Sequence, residues 1–134
     1  MANTLFPKGA EKFLSGAIDL TTATIKACIV PSSYSYDAND EFLSDLGTTL
    51  GTAQTVGSKT VTGGVFDCAD ITWPTVAAGS TAKAVVYYKD TGSAATSPVL
   101  YYQDTITGWP LATNGGDIQV QQDAGAYKVF TLVG

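Results

Sequence analysis

Two apolar runs lie close together in this chain, "AKAVVYYK" at 82–89 and "PVLYYQ" at 98–103, and neither has a polar face. A strand sends alternate side chains to opposite sides of its sheet, so a surface hairpin is normally apolar on one side only. Here Val85 and Tyr87 oppose Ala84, Val86 and Tyr88, and in the second arm Val99 and Tyr101 oppose Leu100 and Tyr102. The linking stretch "DTGSAATS" is rich in turn formers, so the two runs read as one β-hairpin. Both of its sides must be covered. Either the hairpin lies wholly inside its own domain, or one face is kept for a partner. Charged residues make up only 14% of the chain, and tyrosine is enriched at interfaces, so Tyr87, Tyr88, Tyr101 and Tyr102 are candidate partner contacts, with the inward member of each pair in the core.

The rest of the chain repeats the β pattern. Near the N-terminus Pro7 suits a first helical turn, Phe6, Phe13 and Leu14 fall near one side, and Gly16 offers a left-handed stop. "AIDLTTATIKACIVP" then reads as strand, turn and strand, ended by Pro31. Residues 32–47 break the alternation, and Asp37 or Asn39 can cap a short helical turn carrying Phe42, Leu43 and Leu46. The Gly- and Thr-rich residues 47–64 favour loops with an edge strand around Val56 to Val61. Further strands are expected from Val65, through Trp73, over the hairpin, and in "DIQVQQD" and "AYKVFTLV". A length of 134 residues with turn signals at such short spacing predicts a single all-β domain over 1–134, a two-sheet β-sandwich of jelly-roll type with short N-terminal helical segments. An immunoglobulin-like sandwich is the second architecture. Residues 1–15 form a helix or arm, and Leu5, Phe6 and Phe13 make it a second candidate contact or a plug for the open end of the sandwich.

Composition removes several functions. There is no histidine and no arginine, and twelve acids outweigh seven lysines for a net charge of -5. Nucleic-acid binding wants a basic stripe and bidentate arginines, so it is not expected. A serine triad cannot be assembled without histidine, and no side chain has an ordinary pKa near neutrality. "GTAQTVGSKT" at 51–60 resembles a phosphate loop only superficially, because Ser58 separates Gly57 from Lys59 and a β-like segment follows. Asp37, Asp40, Glu41 and Asp45 cluster without the spacing of a calcium loop, and turn capping explains them more simply. Asp67 and Asp70, with Trp73 and Trp109 as sugar platforms, are the nearest approach to a carbohydrate site. Cys28 and Cys68 read as a reduced buried pair, with a disulfide open only to Cβ atoms within about 4.5 Å of each other, and without histidine they make no ordinary zinc site. No cofactor is expected. The start "MANTLFPKGAEKFLSG" has no signal-peptide pattern and no stretch is long enough to span a membrane, so synthesis in the cytoplasm is expected, with no membrane partner.

Two stretches carry a resemblance. "GAIDLTTATIKACIVPSSYSYDANDEFLSDL" (16–46) and "DITWPTVAAGSTAKAVVYYKDTGSAATSPVLYYQD" (70–104) resemble a family of tailed-bacteriophage head decoration, or capsid cement, proteins. The shared features are an Ile-Asp-Leu segment followed by Thr-Ile-Lys, a tyrosine segment ending here in Glu41-Phe42, a Thr-Trp pair and a Tyr-Lys-Asp-Thr-Gly hairpin. They span about half the chain, and residues 47–64 lie outside them. The resemblance implies a structural, non-enzymatic protein on the capsid surface of the virion that ties major capsid protein subunits together, and it carries no catalytic residues across. A homodimer is the default for self-association, with a trimer as the alternative. A carbohydrate- or receptor-binding module of a tail or baseplate is the rival function.

Overall fold

The computed structural model describes residues 3–121 and 129–131. In chain order the first elements are strand β1 (Thr4–Leu5), helix α1 (Pro7–Leu14), strand β2 (Ile25–Pro31) and a 3₁₀ turn (Leu43–Leu46). Strands β3 (Leu50–Thr55), β4 (Thr60–Thr62), β5 (Val65–Asp67) and β6 (Ile71–Trp73) follow. The hairpin is β7 (Thr81–Lys89) and β8 (Val99–Gln103), and β9 (Leu111–Ala112), β10 (Ile118–Val120) and β11 (Phe130–Thr131) complete the order. The described residues are mostly β, with antiparallel sheets and one α-helix.

The largest sheet runs β1-β8-β7-β2-β3, with β9 pairing the start of β7. Two small sheets, β10-β6 and β11-β5-β4, stand apart from it. The sequence explains the centre. In β2, Ile25, Ala27 and Ile29 alternate with Cys28 and Val30, and all of them are buried. Such a strand is covered on both faces and can only lie in mid-sheet.

Each face of the main sheet has its own core. On one side Ile25, Ile29, Val85 and Tyr87 pack with Phe66 of β5, Trp73 of β6, Ile118 and Val120 of β10 and Phe130 of β11. The small sheets therefore cover that face. On the other, Cys28, Val30, Val86, Tyr88 and Val99 pack under Phe6, Tyr34 and Leu46, which belong to the N-terminal arm and to the segment between β2 and β3. Cys28 and Cys68 fall in different cores and are free thiols, each pushed up to about 12 in pKa by burial first of all.

Strict alternation fails at one point in the hairpin. Tyr87 pairs with Tyr101, but Tyr88 pairs with Val99. Leu100 is the extra residue of a β-bulge, which leaves two neighbouring side chains on one side. Leu100 and Tyr101 consequently join the core of Tyr87, while Val99 and Tyr102 join that of Tyr88.

Other expectations are also corrected. Ile18 and Leu20 form no strand: the amides of Ala17 and Ile18 bond back to the Lys12 carbonyl at the helix end, and Asp19 accepts the Thr21 amide to make a turn. Asp45, and neither Asp37 nor Asn39, caps the 3₁₀ turn, since its Oδ2 accepts the amides of Glu41 and Phe42 at 2.9 Å each. The expected strand over 126–133 is seen as β11, preceded by a bend at Val129, and its other residues lie outside the described ones, as do Gln122 and Asp123 of the preceding segment.

Candidate interaction surface

The four hairpin tyrosines sit where no partner can reach them. Tyr87, Tyr88, Tyr101 and Tyr102 retain 1%, 4%, 7% and 0% of their exposure. The expectation that one hairpin face is left open is corrected, because the chain covers both faces itself. The Tyr87 hydroxyl donates to Gln103 Oε1 at 2.8 Å, satisfying a polar tip that burial would otherwise strand. Tyr102 lies among Phe6, Tyr34 and Tyr36, with ring centroids 6.5, 6.2 and 5.3 Å away.

The N-terminal candidates divide. Leu5, half-buried, pairs with Tyr101 in β1, and its carbonyl accepts the Tyr36 hydroxyl at 3.1 Å. Phe6 is fully buried, and its amide donates to the Leu100 carbonyl at 2.9 Å. Both act as parts of the domain, holding the arm against β8. Phe13 differs. It is half-buried, packs 6.1 Å from the Phe130 ring and reaches an opening at the surface.

That opening is a shallow apolar hollow of about 440 Å³ lined by Phe13, Ile18, Leu20 and Val61. Gly16 follows the helix at φ 79°, the left-handed turn that ends α1 and leads the chain past the hollow. Asp19 stands at its rim. The Thr21 hydroxyl and amide both donate to its Oδ1, at 2.7 and 2.9 Å, and these bonds, the hydroxyl's first, hold the carboxyl below its usual range. Leu14, next to Phe13 in sequence, is 87% exposed, and Val61 is 49% exposed. With Leu111 they are the large apolar side chains left exposed among the described residues. Leu14 falls off the buried side of α1, where the sequence places it beside Phe13. Leu20 and Val61 have no pattern that marks them as surface residues, since isolated apolar residues between turns look the same in a core.

A second hollow, about 300 Å³, is polar and lined in part by Tyr34, Asp37, Asp40 and Asp45. The Tyr34 hydroxyl donates to Asp40 Oδ2 at 2.7 Å. Burial raises the Asp40 carboxyl despite that bond, and the Asp37 and Asp45 charges add to the rise. Burial first, then the Asp40 bond, raises the Tyr34 phenol. Asp45 is held low by its two backbone donors. Glu41 is occupied by Lys12 at 2.9 Å, and among the described residues no group of three or more acids or thiols is arranged to hold a metal ion.

Trp73 and Lys59 are engaged inside the domain. Trp73 is fully buried with its Nε1 donating to the Ala27 carbonyl at 3.3 Å, so it cannot stack a sugar, and Trp109 is half-buried. The Lys59 ammonium donates to the Ala23 carbonyl, and strand β4 rather than a helix follows it. Among the described residues no helix is long and apolar enough to cross a membrane. No protein-family model matches the chain, and no curated protein matches it.

Proposed function

We propose that this chain is a structural virion protein that attaches to the outside of an assembled phage head and cements neighbouring major capsid protein subunits without covalent bonds. The observation that carries the reading is the pairing of an apolar hollow at Phe13 with an exposed Leu14 on the same helix, in a chain that otherwise covers its own core. The sequence resemblance over 16–46 and 70–104 points the same way, as does a surface with little charge. We read the main sheet and the two small sheets as the layers of a β-sandwich, jelly-roll-like in its wider connections. Phe66, Trp73 and Phe130 packing onto the main sheet support the two-layer reading.

The interface assigned by this reading differs from the hairpin. Leu14, Phe13 and Leu20 present the apolar contact, and the hairpin tyrosines serve the core. A stable attachment buries about 800 Å² on each partner, so these residues are the centre of a wider polar-rimmed patch. Many equal contacts around a shell reinforce one another by avidity.

Co-sedimentation with undecorated, assembled heads tests the proposal, followed by imaging of the pelleted particles. Saturable density at fixed lattice positions is expected, and Leu14→Asp should abolish it without lowering the melting temperature, since Leu14 is 87% exposed. Absence from heads, with attachment to tails or to cell-surface glycan, overturns the proposal in favour of a receptor-binding module.

A further inference from the structure

Among the described residues strand β4 ends its small sheet, and its register fixes which backbone groups face outward. Thr62 pairs with Val65 across the two-residue turn Gly63-Gly64, both glycines at positive φ, and Val61 pairs with Phe66. In a two-residue hairpin the pair closing the turn exchanges hydrogen bonds, and the next pair does not. Thr62 and Val65 are thus the bonded pair, and Val61 and Phe66 turn their backbone groups away from each other. The other side of the sheet agrees: the Phe66 carbonyl accepts the Val129 amide at 3.1 Å, facing β11. The Val61 amide and carbonyl therefore point out of the sheet edge.

Natural edge strands are usually blunted by a charge, a proline or a bulge. β4 has none of these. Its residues are Thr60, Val61 and Thr62, all exposed, and its pairing with β5 is regular. The charge that could guard it, Lys59, folds its ammonium back onto the Ala23 carbonyl.

We infer that β4 pairs antiparallel with β4 of a second copy of this chain, about a two-fold axis that passes beside Val61. The strand is its own complement. With Val61 opposite Val61, each amide meets the other's carbonyl, Thr60 faces Thr62, and no like charges are brought together within the strand. A chain of net charge -5 that associates with itself needs an uncharged seam, and β4 supplies one. Val61 also lines the apolar hollow, so its counterpart enters beside it and extends the apolar surface. The three-stranded sheets of the two copies join into one continuous sheet of six strands, from β11 through β4 of one copy to β4 and β11 of the other. This association is independent of head binding.

Sedimentation equilibrium of the full chain up to about 1 mM tests it. Wild type is expected to dimerise. Val61→Pro removes the outward amide without breaking a bond inside the monomer, and Val61→Lys places two like charges at the axis. Each should weaken dimerisation about tenfold or more with an unchanged circular dichroism spectrum. If the proline variant misfolds, the lysine variant decides, because it alters only an exposed side chain. A wild type that stays monomeric, a trimer, or a dimer that survives the lysine substitution overturns the inference. Heads that fail to bind leave the dimer result standing, so the two readings fail separately.

Discussion

Tyr87 and Tyr88 are neighbours in sequence that serve different cores, one against the small sheets and the other beneath the N-terminal arm. Replacing either by Asp would strand a carboxylate in an apolar interior, at a cost of several kcal/mol that a domain of this size cannot absorb. Both Tyr87→Asp and Tyr88→Asp should therefore lose the cooperative near-ultraviolet melting transition, and a variant that melts like wild type would show that its side chain reaches solvent. Asp40 tests a subtler balance. Its carboxyl is raised, so the folded chain holds that proton more tightly than the unfolded chain does, and the stabilisation is present at low pH and lost as pH rises through the carboxyl's folded pKa. Asp19, Asp45 and Asp90 are lowered and act oppositely, contributing above the ordinary carboxylate range and losing that contribution as pH falls. Asn keeps an acceptor for the Tyr34 hydroxyl but cannot ionise. The melting temperature of Asp40→Asn relative to wild type should rise from about pH 3 to about pH 7, and a difference that is flat or falls would contradict this assignment. Asp45 shows the limit of sequence at this scale: it, Asp37 and Asn39 are all suitable capping residues, and only the backward reach to Glu41 and Phe42 selects Asp45.

Helix α1 meets the hairpin through a glycine. A Cβ on Gly9 would lie 2.5 Å from the Val99 carbonyl oxygen and 2.9 Å from the Leu100 Cα, so the helix rests directly on the backbone of β8. Ala is the better helix former by about 1 kcal/mol, and an exposed helix would gain from the change. Here the clash is with backbone, which cannot swing aside. Gly9→Ala should destabilise by about 1 to 3 kcal/mol, read as a melting temperature several degrees lower, and a stabilised variant would mean that the helix does not seat on β8. The helix itself was legible, from Pro7 at its start to Gly16 beyond its end. So were β5, β6 and the hairpin, whose β-branched and aromatic runs are bounded by turn formers. β1 and β9 were not. Each has two residues and exists because an edge of the main sheet is available to it, Thr4–Leu5 along β8 and Leu111–Ala112 along the start of β7. The bulge at Leu100 was equally hidden, since two consecutive apolar residues read alike whether the strand is regular or slips.

The whole molecule turns on how its two apolar faces are covered. The sequence shows that both faces of the hairpin need a cover and leaves open whether the chain or a partner supplies it; the segment holding Tyr34, Tyr36 and Leu46 decides the matter only once it has folded across β2 and β8. The apolar surface that remains near helix α1 consists of the exposed Leu14 and the hollow that Phe13 and Leu20 help to line. The ion pairs nearest it in sequence are internal: Lys8 lies 3.8 Å from Glu11 and Lys12 lies 2.9 Å from Glu41. Contact through this patch would rest on water exclusion rather than on attraction between unlike charges. Electrostatic attachment weakens steeply as ionic strength rises and the screening length shrinks from about 10 Å at 0.1 M to about 3 Å at 1 M, whereas apolar attachment holds or strengthens in kosmotropic salts. Head binding by this protein should accordingly hold or strengthen as sodium sulfate raises the ionic strength from about 0.1 to about 1 M, measured as the free concentration that half-saturates the pelleted heads. Release of the protein by salt over that range would place the contact on its charged residues and away from Leu14.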